Sequence, residues 1–134
     1  MVSGGMKPGI GGLLDSVDLY HVNEDVWSVA PPLNRKRLSH SSCCISNFVY
    51  VSCGQDDQRS FNNIIESLDV GAFLANGAFK IKWELIEINF DKSCNGVRLN
   101  SLMVPLNDTE ILILGGYSTN KSKKLCDGFI FDIQ

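Results

Sequence analysis

The sequence predicts an all-β protein assembled from a repeated small antiparallel sheet, and three observations support this fold class. Nine short apolar runs, several rich in β-branched and aromatic residues, are bounded by Gly, Asn, Asp or Pro, as strands usually are. Glycine pairs recur at 4–5 and 115–116, and a degenerate Cys-Gly pair at 53–54 lies between them. Each pair closes an apolar run and precedes the same ordered landmarks, which is the pattern of a repeat protein.

The predicted strands follow these apolar runs in chain order. The runs at 48–51, 111–114 and 129–131 are apolar at consecutive positions, whereas a half-solvated sheet should alternate. We therefore expect their sheets to be covered on both faces. The nine predicted strands are 16–22, 26–30, 41–45, 48–53, 64–70, 83–88, 101–106, 110–114 and 128–133.

The breaks between these runs predict the turns. Short polar segments at 46–47 and 107–110 separate neighbouring runs closely enough for hairpins. Pro105 is expected at a strand end beside the second turn, because proline cannot donate to a strand ladder. Segment 72–79 could form a helical turn, although one glycine just before it and one within it disfavour a helix.

The landmarks recur at nearly constant spacing. From the second residue of each pair, a large apolar anchor lies 15, 14 and 15 residues on, at Tyr20, Leu68 and Phe131. The period grows from 49 to 62 residues, mostly in the segments that flank the second tryptophan. Insertions of this kind map to surface loops. The other landmarks are the tryptophans Trp27 and Trp83 and the Arg-Leu pairs that begin at Arg37 and Arg98.

Composition limits the class of protein. The chain has 134 residues, 44% hydrophobic and 20% charged, with a formal charge of −3, which is typical of a soluble globular protein. No apolar run approaches the roughly 20 residues of a membrane span, and the N-terminal sequence lacks the regions of a signal peptide. We therefore expect a cytoplasmic protein with no membrane partner. The mild acidity also argues against a nucleic-acid partner.

The cysteines are expected to be free thiols with structural roles. They form an odd set without a C-x-x-C pair, and free cysteine commonly packs as a small hydrophobe. The five are Cys43, Cys44, Cys53, Cys94 and Cys126.

The ordered landmarks resemble those of kelch repeats. The series from Arg37 through FVYVSCG and NIIESLDV to Trp83 resembles one complete repeat, and ILILGGYS followed by DGFIFDI resembles most of another. The opening VSGG and SVDLYHVNEDVW resemble the latter part of a third. Cys53, Leu68 and Phe131 depart from the glycine and tyrosines of the family pattern.

This resemblance implies kelch-type β-propeller blades, each a four-stranded antiparallel sheet, in an incomplete ring. Residues 1–34 would be the end of one blade, 35–90 a complete blade, and 91–134 a blade without its fourth strand. So few blades cannot close a ring, and the outer sheets should expose edges and apolar faces. We expect a fragment, a truncated product, or a part that associates with further blades or with itself.

The landmarks are interpreted as structural. Glycine pairs permit unusual backbone angles or close strand approach, and no lysine and helix follow them as a phosphate loop requires. The resemblance gives Arg37 and Arg98 a structural role, and the fixed spacing of the aromatic landmarks indicates packing. His21 and His40, the only histidines, accompany no nucleophile motif. We predict a protein that is not an enzyme, with no catalytic residues, cofactor or metal.

Function is expected in the loops. By resemblance to kelch propellers, the connections between second and third strands and between successive blades share one face, which commonly receives a protein partner. Exposed arginine and aromatic residues can act as binding anchors. The predicted partner-binding residues are Arg35, Arg59, Phe61, Asn62, Tyr117 and Lys121.

These observations predict a non-catalytic protein–protein interaction module, a kelch-repeat scaffold or adaptor. Kelch-like modules serve as substrate receptors of ubiquitin ligases and as cytoskeletal or scaffolding parts. One alternative is a fragment of a propeller enzyme, carbohydrate-active or redox. Another is a thiol-based sensor that uses Cys43, Cys53 or Cys126.

Overall fold

The described part of the chain forms three antiparallel sheets of three or four strands, which lie one against the next, and a separate two-stranded hairpin. A computed structural model describes residues 1–9, 11–56, 64–76, 81–87, 98–118 and 121–134. Within these residues the fold is mostly β with one short helix, which confirms the predicted all-β class.

The first sheet has three strands in chain order, each paired antiparallel with the next. Its register sets Val17 opposite Ala30 and Tyr20 opposite Trp27. Because side chains alternate along a strand, these two pairs lie on opposite faces. The strands are β1 (Val2–Ser3), β2 (Val17–His21) and β3 (Val26–Ala30).

The second sheet has four strands, again antiparallel and in chain order. Cys43 lies opposite Tyr50, and Tyr50 lies opposite Ser67, so these three share one face. Val49 and Leu68 form a pair on the other face. The strands are β4 (Ser41–Ile45), β5 (Phe48–Ser52), β6 (Ile64–Asp69) and β7 (Glu84–Glu87).

The third sheet has its middle strand paired on both sides. Along the chain, a small separate hairpin connects its last two strands. Ile113 pairs with Met103 and Phe129, which puts these three on one face. The sheet contains β8 (Leu102–Pro105), β9 (Glu110–Leu114) and β12 (Gly128–Asp132), and the hairpin contains β10 (Tyr117–Ser118) and β11 (Lys123–Lys124).

One helix, α1 (Val70–Asn76), follows β6 directly. The Asp69 carboxylate accepts a hydrogen bond from the backbone N–H of Ala72 at 2.8 Å, which caps the helix N-terminus. Phe73 is buried against the core. Capping and burial therefore outweigh the poor helix propensity of the glycine at position 71. Residues 77–79 of the ambiguous segment lie outside the described residues.

Two apolar clusters cover the second sheet on both faces, as the apolar run at 48–51 predicts. Fractional exposure is 0% for Val51 on one side and 0% for Ile65 on the other. The cluster shared with the first sheet contains Val17, Ala30, Leu33, Val49, Val51, Leu68, Phe73 and Trp83. The cluster shared with the third sheet contains Cys43, Ile45, Tyr50, Cys53, Ile65, Met103, Ile111 and Ile113. The same prediction is wrong for the third sheet, with the runs at 111–114 and 129–131, because only one of its faces packs against a cluster and Ile130 on the other is exposed.

The aromatic landmarks divide between these clusters and the surface. Trp83 is buried and its indole N–H donates to the Pro31 carbonyl at 2.8 Å, while Phe131 packs against the second cluster. Tyr20 and Trp27 contact each other, with ring centroids 5.2 Å apart, but both are exposed on the outer face of the first sheet. The packing predicted for these two residues is therefore limited to their mutual contact.

All nine predicted strands coincide with described strands. Three have the predicted bounds, at 26–30, 41–45 and 110–114. The others end one residue inside the predicted bounds, and residue 88 lies outside the described residues. The three two-residue strands β1, β10 and β11 are too short to leave an apolar run in the sequence.

Candidate partner-binding face

Alternate connections between strands gather at one end of the three sheets, which we call the loop face, while the hairpin turns lie at the opposite end. Backbone hydrogen bonds join these connections to one another, which places them side by side. The loop face consists of residues 4–9, 11–16, 31–40, 53–56, 98–101, 115–118 and 121–127.

The pairs at 4–5 and 53–54 are each bonded to the segment that leads into the following sheet. The N–H of Gly5 donates to the carbonyl of Arg37 at 2.8 Å. The N–H of Gly54 donates to the carbonyl of Arg98 at 3.0 Å. The same contact therefore joins the first sheet to the second and the second to the third.

A second repeated contact holds the loops that follow the pairs. Leu38 and Gln55 exchange two backbone hydrogen bonds of 3.0 Å. Leu99 and Tyr117 exchange two of 3.0 and 2.9 Å. With the bonds from the glycine pairs, these contacts form one row of main-chain hydrogen bonds across the loop face.

The pairs adopt a left-handed backbone, which is an unusual backbone conformation of the kind that the sequence indicated. Their φ angles are 59° and 103° at 4–5, 63° and 80° at 53–54, and 66° and 96° at 115–116. A Cβ atom on Gly54 would lie 2.6 Å from the Leu38 carbonyl oxygen, and one on Gly116 would lie 2.8 Å from that of Leu99. Glycine is therefore required at these two positions, both for φ and for close approach.

Arg37 is fully buried beneath the loop face. Its Nη1 donates to the carbonyl of Cys53 at 3.0 Å, and its Nη2 donates to Glu66 Oε1 at 2.6 Å. Glu66 is also fully buried and accepts a hydrogen bond from the backbone N–H of Asn34. A buried charge is tolerated when it is paired and hydrogen-bonded, so these contacts give Arg37 a structural role.

Arg98 occupies the equivalent place in the third sheet. Its Nη1 donates to the carbonyl of Gly115 at 2.8 Å, as Arg37 donates to the first residue of its own pair. Its Nη2 lies 3.1 Å from Asp127 Oδ1, and its guanidinium lies 5.3 Å from the ring centroid of Phe129. A half-exposed carboxylate and an aromatic ring thus replace the buried carboxylate of the second sheet.

The structure brings some of the predicted partner-binding residues to the loop face. Arg35 is partly exposed, and its Nη1 lies 3.9 Å from Asp56 Oδ2. Tyr117 is exposed beside Lys124 in the β10–β11 hairpin, and Lys121 lies in the turn of that hairpin, where its N–H donates to Ser118 Oγ at 3.3 Å. Three predicted residues lie outside the described residues: Arg59, Phe61 and Asn62.

A groove of about 450 Å³ opens on the loop face between the first and second sheets. It combines apolar side chains with amide, ammonium and carboxylate groups. Such a lining suits a polypeptide segment. The groove is lined by Met6, Gly11, Gly12, Leu13, Lys36, Leu38, Gln55 and Asp56.

Charge is unevenly distributed over the described residues. On the loop face, Asp15 is half-buried, Asp56 lies near Arg35 and Asp127 is paired with Arg98. At the opposite end, the exposed Glu24, Asp25 and Asp108 occupy turns, and Lys82 is exposed. The exposed lysines of the loop face are Lys7, Lys36, Lys121, Lys123 and Lys124. Sequence reasoning overlooked Lys7 and Lys36, because neither belongs to a run of basic residues and only the fold brings them beside the others.

The two histidines each contact a serine. His21 Nε2 lies 2.7 Å from Ser28 Oγ, and His40 Nε2 lies 3.0 Å from Ser3 Oγ. Burial, together with the positive charge of Arg37, lowers the pKa of His40 from 6.5 to about 4. His40 is therefore neutral at pH 7.

The cysteines fall into two pairs within the described residues. Cys43 and Cys53 are buried, whereas Cys44 and Cys126 are exposed. Burial, with the neighbouring Cys44, raises the pKa of the Cys43 thiol to about 11. The thiolate is the nucleophilic form, so Cys43 is a poor nucleophile near pH 7.

Among the residues that the structure describes, no group of three or more His, Cys, Asp or Glu side chains could hold a metal ion. The described part of the chain also contains no helix with the length and apolar character needed to cross a membrane. Comparison with protein-family models and with curated proteins finds no match.

Proposed function

We propose that this chain is a non-catalytic protein-interaction module of kelch-repeat type, a scaffold or adaptor that binds a protein partner through its loop face. The observation that carries the proposal is the row of main-chain hydrogen bonds, because it holds the loops of three sheets side by side on a rigid support. Loops positioned by a rigid scaffold are common binding sites. The three sheets would be the propeller blades assigned to residues 1–34, 35–90 and 91–134, in an incomplete ring.

The repeated geometry supports the kelch-type assignment. In each of two sheets, a buried arginine donates to the first residue of a left-handed pair, and the second residue of that pair contacts the leucine that follows the arginine. Equivalent residues thus make equivalent contacts 61 positions apart, at Arg37 and Arg98. Repeats that fold alike in this way are expected of successive blades.

The charges of the loop face favour an acidic partner. Its exposed lysines lie beside exposed Tyr117 and partly exposed Arg35, and tyrosine and arginine are frequent binding hot spots. Lysines at the rim of such a site attract an opposite charge and raise the association rate. The partner should therefore present an acidic surface or peptide.

Photo-crosslinking tests which end of the sheets contacts the partner. A benzoylphenylalanine at position 117 would sit on the loop face, and one at position 48 would sit at the opposite end. The native residues are nearly equally exposed, at 39% for Tyr117 and 38% for Phe48. We expect extracts of the source cells to yield a crosslinked protein from position 117 alone, which mass spectrometry would identify. A crosslink to the same protein from position 48 alone would contradict the proposal.

The identified partner then allows a quantitative test of charge. The triple variant Lys121→Glu/Lys123→Glu/Lys124→Glu should weaken binding at least about tenfold, and raised salt should weaken wild-type binding. Lys82→Glu is the control, because Lys82 is also an exposed lysine and lies near Asp69 at the end of the sheets opposite the loop face. Equal affinity of the triple variant and the wild type would refute binding through the lysines.

A further inference from the structure

The outer faces of the first and third sheets carry exposed apolar side chains, together with Asp18 on the first sheet and the Glu110–Asp132 pair at one end of the third. On the first sheet, fractional exposure is 40% for Tyr20 and 58% for Trp27. On the third, Ile130 is 57% exposed, and its strand neighbour Leu112 lies on the same face. Neighbouring large apolar side chains that remain exposed are a feature of interaction sites.

The second sheet has a face equivalent to the outer face of the first sheet, and in the second sheet that face is covered. Leu68 and Trp83 correspond by repeat spacing to Tyr20 and Trp27. Both are buried, with exposures of 0% and 4%, against the inner face of the first sheet. Leu19 of the first sheet packs against that cluster.

The outer face of the third sheet is equivalent to the inner face of the first sheet, which covers Leu68 and Trp83. Ile130 lies one residue before Phe131, as Leu19 lies one residue before Tyr20. Leu112 lies four residues before Gly116, as the buried Tyr50 lies four residues before Gly54. The third sheet therefore presents outward the kind of face that packs on the exposed face of the first sheet.

We infer that two copies of this chain associate head to tail, with the third sheet of each copy packed on the first sheet of the other. The contact would repeat the packing that already joins the sheets within one chain. A two-fold axis makes both contacts at once, so no outer face is left exposed. The pair would contain six sheets, within the four to eight blades of closed propellers. This inference rests on the proposed kelch-type arrangement, but not on the partner at the loop face.

Light scattering on the 134-residue chain tests the inference. The wild type should have a mass twice 14.8 kDa at micromolar concentration. Tyr20→Lys and Ile130→Lys should each lower the mass toward that of one chain, because each places a charge in both copies of the contact. An isologous dimer through one face would respond to only one of them. That response, or a monomeric wild type with its faces left for another protein, would overturn the inference.

Two matched controls accompany these variants. Tyr117→Lys changes a tyrosine on the loop face that is 39% exposed, nearly as much as Tyr20, and Leu74→Lys changes a residue that is 58% exposed on α1. Both should remain dimeric. Tyr117→Lys also separates the two proposals. If it abolishes partner binding while the mass remains that of the dimer, the loop face and the contact between copies are distinct surfaces. A monomeric Tyr117→Lys or Leu74→Lys would overturn the assignment of the contact.

Milder variants test the contact even if a lysine at these positions unfolds a strand. Trp27→Thr and Ile130→Thr each place a strand-forming β-branched side chain at the position and remove apolar contact area. Each should raise the dissociation constant of the dimer at least about tenfold while the circular dichroism spectrum remains that of a β protein. An unchanged dissociation constant in a folded variant would overturn the inference.

Discussion

The guanidinium of Arg37 lies 2.6 Å from the carboxylate of Glu66, and both side chains are fully buried. Arg37 lies in the connection between the first two sheets, and Glu66 lies in the middle of β6. The ion pair therefore holds that connection to the second sheet. Neither charge has access to water, so each depends on the other for compensation.

Removing one member of this pair should destabilise the fold strongly. Arg37→Ala should lower the free energy of unfolding by about 3–5 kcal/mol, because it leaves the Glu66 carboxylate buried and unpaired. Arg35→Ala is the control and should cost less than about 1 kcal/mol, since Arg35 is partly exposed and lies 3.9 Å from its carboxylate partner. Urea unfolding measures both. Similar losses for the two variants would show that burial of the pair has little effect.

The ion pair of the third sheet should matter less. The Asp127 carboxylate is 56% exposed, whereas that of Glu66 is inaccessible to water. Asp127→Ala should therefore cost about 1 kcal/mol or less, and Glu66→Ala should cost several times more. The two midpoints of urea unfolding give the comparison. A larger loss for Asp127→Ala would refute this ordering.

Gly54 should tolerate no side chain. Its φ is 80°, and an added Cβ would lie 2.6 Å from the Leu38 carbonyl oxygen. Gly54→Ala should cost more than about 2 kcal/mol, from backbone strain together with the clash. Gly12→Ala provides the control, because φ there is not positive and nothing lies within 4 Å of the added Cβ. Thermal unfolding of the two variants would separate them, and equal melting temperatures would count against the strain.

Stability should fall in mild acid because of His40. Its pKa is about 4 in the folded chain, compared with 6.5 for an unperturbed histidine. The unfolded chain therefore binds more protons between these values, and the contribution of His40 is full above pH 6.5 and lost as the pH falls toward 4. After allowance for partial exposure, the loss is about 2 kcal/mol. His40→Gln should flatten the dependence of unfolding free energy on pH over this window, and an unchanged slope would rule out His40 as its source.

Thiol reagents should distinguish the cysteines by burial. In a Cys94→Ser background at pH 7.5, Cys44 and Cys126 should react within minutes, whereas Cys43 and Cys53 should react only on unfolding. The raised pKa of Cys43 slows its reaction further. Mass spectrometry of the modified peptides provides the measurement. Rapid modification of Cys43 or Cys53 in the folded chain would favour the thiol-sensor alternative.

The strands could be predicted from sequence because the determinants are local. Runs such as 48–52 and 110–114 are short, apolar and closed by turn residues, and neighbours along the chain pair with each other. Helix α1 could not be predicted, because Asp69 as a cap and Phe73 as a buried anchor act only once the second sheet exists. The low helix propensity of the neighbouring glycine disfavoured a helix.

The site was harder to predict than the fold. Glu66 resembles an ordinary charged strand residue, and its burial depends on Arg37, which lies 29 residues earlier. The lysines of the loop face come from three separate connections, and nothing in their spacing indicates that they meet. Arg35 and Tyr117 could be proposed because the repeat spacing places loops relative to strands. It does not specify which side chains remain accessible.

The contacts between the connections of the loop face use main-chain amides and carbonyls. Every residue except proline carries both groups, so most side chains in these loops can be replaced without loss of the hydrogen bonds. Natural selection can therefore alter what the surface recognises, one substitution at a time, while the support beneath it persists. Related chains should differ most in their loop residues and least at the glycines and arginines below them.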